Sequence, residues 1–175
     1  VARSALRGRR RQFEARLRIE ALDEGERRLQ TALEAGHLGA WELDLATMVL
    51  TTSPTCRSVF GRGSEEGFTY EDLIASIHPD DIERMRVSVD LTIATGRDYS
   101  IDYRTIWPDG SQHWAEIRAQ LYRDRGGQAI KLVGVSADIT DRIRQEEQQR
   151  RLNEVLEERV LERTKELEDA HAIVM

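Results

Sequence analysis

The sequence predicts an α+β domain: two strands, several short helices, three strands and then a long helix, preceded by an N-terminal helix. Three observations carry that prediction. Residues 98–138 contain the runs "DYSIDYRTIW", "QHWAEIRAQLYR" and "AIKLVGVSAD", separated by "PDGS" and "DRGGQ". Those separators supply the backbone angles of tight reversals, so the runs read as three sequential strands. Residues 78–96, "HPDDIERMRVSVDLTIATG", open with Pro and two Asp and then place Ile82, Met85, Val89 and Ile93 at 3–4 spacing. That is an amphipathic helix with an acidic first turn. Finally, residues 141–175 form a heavily charged run with sparse apolar positions.

The remaining elements follow in order. Residues 1–22 space Leu6, Phe13, Leu17 and Leu22 as on one helical face, and "DEG" at 23–25 is expected to end that helix. "ERRLQTALEAGHLG" (26–39) then reads as a second helix, with Leu29, Ala32 and Leu33 inward and Gly36 near its C-cap. "AWELDLATMVLTT" (40–52) alternates and reads as a hairpin turning near Ala46–Thr47. "SPTCRSVFG" (53–61) starts on Ser-Pro and places Val59 and Phe60 inward, a short helix. "TYEDLIASI" (69–77) opens with Thr69 as N-cap of another. Trp41, Trp107 and Trp114 are expected in core and sheet-face packing.

Composition narrows function. The chain has 175 residues, 39% hydrophobic and 33% charged, enough for one small core plus extensions. Its net charge of −6 argues against nucleic acid as a partner. A lone cysteine, Cys56, rules out an internal disulfide or CxxC cluster and fits a reducing, cytoplasmic setting. No apolar run approaches the roughly 20 residues of a membrane span. The chain starts at Val and stops inside a periodic helix, so it reads as a piece of a longer protein. No Ser–His–Asp order, paired-carboxylate signature or phosphate loop stands out, and Asp80–Asp81 is explained by the helix macrodipole. No catalytic residues and no metal ligands are expected.

The motifs "GAWELDL", "HPDD", "DYRTIWPDGSQHW" and "GVSADIT", in this order, resemble the PAS family, specifically the PAS/PAC subtype of bacterial sensor kinases, over about residues 26–142. The resemblance implies a PAS fold, a five-stranded antiparallel sheet in the order 2-1-5-4-3, with helices on one face around a small interior. It divides the chain into an N-terminal linker and dimerisation helix (1–25), a sensory domain (26–140) and a C-terminal signalling helix (141–175). "LEERVLERTKELEDAHA" (156–172) is similar to the helix that precedes the catalytic core of sensor histidine kinases. The phosphoacceptor box does not appear, and His171 does not match it, so no kinase activity is expected of this chain itself. The implied partners are a second copy of the chain, a downstream kinase core in the same protein, and a response regulator for that protein.

The tail can be placed in heptads. With Leu156 at d, Asn153, Val160, Leu167 and Val174 fall at a, and Arg163 and Ala170 at d. That seam is poor in apolar residues, as a switchable coiled coil requires. Pairs such as Glu146–Arg150 and Glu147–Arg151 would hold the helix at about 0.2–0.5 kcal/mol each. Asp138, Ile139 and Thr140 form the joint: Asp138 ends the last strand and Thr140 is expected to cap the helix. The resemblance implies that Asp138 couples the core to the outgoing helix.

No cofactor is expected, with a small-molecule ligand as the open alternative. Flavin-binding relatives carry a reactive Cys in an Asn-Cys-Arg-Phe-Leu-Gln-like segment, whereas Cys56 sits in "SPTCRSVFG", before the expected position. Haem-binding relatives use a His of the long helix, and residues 79–95 contain none. His37, His78 and His113 read as structural. Candidate pocket residues are Ile82, Met85, Val89, Ile101, Tyr103 and Ile117. Strand alternation separates Ile101, Tyr103 and Thr105 from Asp102, Arg104 and Ile106 without saying which set faces inward. The basic start "RGRRRQ" (7–12) fits a solvated segment of an incoming helix, or one lying just inside a membrane if the longer protein is anchored.

Overall fold

A computed structural model describes the backbone of residues 2–173 and the side chains of residues 13–166. Ten elements run along the chain: α1 (Ala2–Ala35), β1 (Gly39–Asp44), β2 (Leu50–Thr52), α2 (Pro54–Val59), α3 (Tyr70–Ser76), α4 (Pro79–Thr95), β3 (Tyr99–Ile106), β4 (Gln112–Arg123), β5 (Ala129–Asp138) and α5 (Thr140–Ile173). The strands make one sheet in the order β2-β1-β5-β4-β3, every pair antiparallel. The expected fold and all five strands are therefore present.

Alternation settles which face is inside. In β3, Tyr99, Ile101, Tyr103 and Thr105 are buried, while Asp102, Arg104 and Ile106 turn outward. Ala115, Ile117 and Ala119 of β4 and Leu43 and Leu132 of β1 and β5 join the inner face. Helices α2–α4 and the segments that join them cover it with Cys56, Val59, Phe60, Phe68, Ile77 and Met85. Each such large apolar side chain contributes about 1.5–3 kcal/mol by leaving water.

Two close approaches need glycine. A Cβ on Gly39 would lie 2.3 Å from Cys56 Cα, so this residue lets α2 close onto β1. A Cβ on Gly134 would lie 2.1 Å from Arg118 O across the β4–β5 ladder. Both contacts are far inside van der Waals range; the first sets how closely α2 lies on the sheet and the second how closely β4 and β5 approach.

The short helices start where the sequence places their caps. Ser53 Oγ accepts from Cys56 N–H, with Pro54 as the first helical residue. Thr69 and Asp72 form a reciprocal capping box on α3. His78 caps α4, its Nδ1 accepting from Asp80 N–H at 3.3 Å, and Gly96 ends α4 in the left-handed region at φ 72°.

The N-terminal region differs from expectation. "DEG" does not break the helix: α1 runs unbroken from Ala2 to Ala35. One glycine costs a helix interior only about 1 kcal/mol, and the Glu24–Arg28 pair at 2.9 Å spans Gly25. The helix ends later, with His37 at φ 51° and Leu38 N–H bonded to Leu33 O. Gly36 stands at the helix end, as expected, and His37 takes the left-handed position past it. Leu29 and Ala32 are also exposed rather than inward, and only Leu33 is half-buried.

The tail is one helix, as expected, with Asn153, Leu156, Val160 and Arg163 all exposed. The side chains of Leu167, Ala170 and His171 lie outside the described residues, as does Val174 altogether. Leu152, Val155 and Leu161 are further exposed apolar residues that the heptad reading did not include. Arg150 pairs forward with Glu154 at 3.9 Å, and Arg163 with Glu166 at 3.2 Å.

Candidate functional site

Two features stand out: an interior cavity and the strand-to-helix joint. The cavity lies between the inner sheet face and α2–α4 and has a volume of about 50 Å³. Met85, Val89, Tyr103 and Ile117 line it, as the sequence reading proposed. Ile101 is buried in the core without lining the cavity, because its neighbours Tyr99 and Tyr103 occupy that wall. Ile82 faces a separate outer groove with Tyr70, Ile74 and Ile106, one helical step away from Met85. Sequence reasoning missed Trp41, Cys56, Phe60 and Tyr70 as lining residues. Cys56, Phe60 and Tyr70 come from segments whose approach to the sheet depends on tertiary closure, and Trp41 from an inward position of β1.

The lining chemistry is apolar and phenolic. Burial pushes the Tyr103 and Tyr99 hydroxyls well above the ordinary phenol range and the Cys56 thiol up to about 11. Trp41 brings a buried indole N–H that has no hydrogen-bond partner among the described residues. The fit to the family's larger cofactors is poor. No histidine lines the cavity to ligate haem. A thiol held neutral by burial is the opposite of a reactive cysteine. The volume suits water-sized guests, against the roughly 300 Å³ or more of pockets that enclose larger ligands.

An ion pair fixes α4 above this cavity. Asp81, buried in the first turn of α4, accepts from Arg104 N–H at 2.9 Å, from Nε at 2.9 Å and from Nη2 at 3.0 Å. These bonds, the guanidinium's first, hold the Asp81 carboxyl far below the usual carboxylate range. Arg104 thus neither lines the interior nor sits free on a solvated face. It ties the outer side of edge strand β3 to the start of α4.

The joint is built from β4, β5 and α5. Asp138 and Ala115 are paired at the end of the β4–β5 ladder. One residue later the chain is already helical, with Ile143 N–H bonded to Ile139 O at 3.0 Å. Thr140 is not the cap. Its hydroxyl turns back to accept from Trp114 N–H at 2.9 Å and donates to Asp138 Oδ1. The capping acceptor is the Asp138 carboxylate, which takes Thr140 N–H at 2.9 Å. Ile139 N–H bonds Trp114 O at 2.9 Å. The first helical turn is therefore bonded to β4 on both sides of Trp114.

His113 lies beside this joint. Its Nδ1 is 3.4 Å from Thr140 Oγ1 and 3.6 Å from Asp138 Oδ2, and its Nε2 is 3.0 Å from Ser111 Oγ. Its ring stacks on Trp107 with centroids 3.5 Å apart. Trp107 Nε1 donates to Val59 O at the end of α2. The expectation of purely structural Trp and His roles thus resolves into a chain of contacts from α2 to α5.

Comparison with known proteins agrees with this architecture. Residues 49–136 match the family model described as PAS fold, half of the chain, and the chain belongs to the PAS family. Sensor protein FixL of Bradyrhizobium diazoefficiens is 30% identical over 109 residues, covering 62% of this chain and 22% of that protein. A blue-light-activated histidine kinase of Brucella anthropi is 27% identical over 114 residues, covering 65% and 23%. The chain therefore spans under a quarter of these relatives. Among solved structures, a sensory box histidine kinase/response regulator from Burkholderia thailandensis aligns with TM-score 0.65 and 28% identity, covering 74% of this chain and 98% of that one. The N-terminal domain of a diguanylate cyclase with PAS/PAC sensor from Marinobacter aquaeolei aligns with TM-score 0.54 and 25% identity, covering 59% and 95%. No helix among the described residues is long and apolar enough to cross a membrane.

Proposed function

We propose that this PAS domain is a cytoplasmic sensory and dimerisation module that relays a signal through Asp138, Ile139 and Thr140 and a coiled-coil helix to a histidine kinase core in the same protein. The observation that carries this reading is the bonding of the first turn of α5 to Trp114 and Asp138. A displacement of β4 or β5 reaches the helix through those bonds, with no flexible linker to absorb it. The N-terminal segment 1–25 and the signalling helix 141–175 pair with their copies in a homodimer. Leu156 and Val160 are half or more exposed in the single chain and supply apolar surface for that pairing. The kinase then passes its phosphoryl group to a response regulator.

A stimulus acts by favouring one of two dimer arrangements, so any ligand binds them unequally. The small cavity supports a core filled mainly by its own side chains, with the Trp41 indole N–H and the tyrosine hydroxyls as the polar groups of its lining residues. One observation favours a different output: the likeness to the sensor domain of a diguanylate cyclase supports a cyclic-dinucleotide synthase in the kinase's place.

Native mass spectrometry of the chain tests the dimeric part. We expect a dimer, and a Leu156→Lys, Val160→Lys variant that is monomeric with its core folded. A monomeric wild type at micromolar concentration overturns the coiled-coil relay. A dimer with added mass per subunit identifies the guest, and a bare dimer favours the self-filled core.

A further inference from the structure

We propose that His113 is a proton-dependent clamp on the joint: its doubly protonated ring holds α5 to the β3–β4 turn, and loss of one proton loosens that hold. The inference rests on the relay reading only for its consequence in signalling. Its basis is a hydrogen-bond inventory. Ser111 Oγ donates to Asp109 Oδ1 at 2.6 Å, and Thr140 Oγ1 donates to Asp138 Oδ1. A hydroxyl has one proton, so both oxygens are left facing His113 as acceptors. Ser111 Oγ faces Nε2 at 3.0 Å, and Thr140 Oγ1 faces Nδ1 at 3.4 Å. A neutral imidazole has one N–H and would set its other nitrogen lone pair against an oxygen lone pair. Only the imidazolium donates to both.

The surroundings suit that cation. Asp138 Oδ2 lies 3.6 Å from Nδ1. Asp109 stands behind Ser111, its carboxyl held below the usual range first by the Ser111 hydroxyl. Two carboxylates thus stand around the ring, Asp138 from the end of β5 directly and Asp109 from the β3–β4 turn through Ser111 Oγ. On its face, the parallel Trp107 ring 3.5 Å away offers its π cloud to the charge. His113 is also well enclosed, its side chain 16% exposed, so these contacts are little diluted by solvent. Losing a proton removes one donor and the charge together. The weakened link is the one between the turn that carries Trp107, and through it α2, and the first turn of α5.

The test is a pH titration of the whole 175-residue chain by NMR, reading the ring nitrogens of His113 and the exchange protection of the amides of residues 140–144. We expect both ring nitrogens protonated at the acid end of the folded range. As the second proton leaves, protection of those amides should fall roughly two- to tenfold, the worth of one hydrogen bond. Ser111→Ala, which removes one acceptor and leaves the sheet alone, should shrink that step. A single-proton ring throughout the folded range overturns the proposal. So does a protection profile that stays flat while His113 titrates. Both readouts come from the module alone, so they stand apart from any failure of kinase relay.

Discussion

Replacing Asp81 with Ala should cost the domain about 2–4 kcal/mol. Breaking a buried ion pair by removing one partner costs about 3–5 kcal/mol, because the other charge is stranded. Arg104 is 26% exposed and keeps Asp80 at 3.4 Å, so part of its charge is rescued and the cost shifts down by about 1 kcal/mol from that range. Its backbone N–H, however, loses its acceptor. The assay is urea unfolding of wild type and variant, with the midpoint falling and the slope unchanged. The pH dependence has a definite sign. The folded Asp81 carboxyl titrates far below its unfolded value near 3.9, so its contribution is complete above that value. It is lost as pH falls through the folded value, and the margin over Asp81→Ala should narrow below about pH 4. A margin under about 1 kcal/mol at pH 7, or one that stays level from pH 7 to pH 3, would refute this account of the α4 clamp.

Two further predictions concern the interior. Cys56 is 2% exposed and its thiol is pushed to about 11, so a disulfide reagent at pH 8 should modify it only at the rate of unfolding. Stoichiometric reaction within seconds in the folded protein would contradict that burial. Gly39→Ala sets a methyl 2.3 Å from Cys56 Cα and should destabilise by about 1–3 kcal/mol, seen as a lower thermal midpoint. An unshifted midpoint would mean that α2 does not rest on β1 as described.

The parts of this fold that were legible in the sequence are those set by local chemistry. Ser53-Pro54, Thr69 with Asp72, and His78-Pro79 announce their helices because caps act within one turn. Turns at Gly110 and Gly127 are legible because both require positive φ. Strand alternation gave two candidate faces for β3, and only packing against α4 and the sheet chose Tyr103 over Arg104. The break assigned to "DEG" failed because a single glycine is a small penalty against a helix of 34 residues. At the joint, Asp138 was identified, but the cap was assigned to Thr140. The hydroxyl's alternative partner, Trp114 N–H, lies 26 residues away in sequence. A separation of 27 residues likewise hid the contact of His113 with Thr140, which forms only once β4 and β5 are paired.

In the relay proposed above, Asp138 carries movement from the core into α5. That role is tested most directly by measuring autophosphorylation of the longer kinase with and without Asp138→Ala. The substitution removes the acceptor of Thr140 N–H and of its hydroxyl, a loss of about 1–2 kcal/mol confined to the joint. The account predicts a core that stays folded and an autophosphorylation level changed by about fivefold or more, the size of a modest coupling energy. An unaltered level in a folded variant would contradict it.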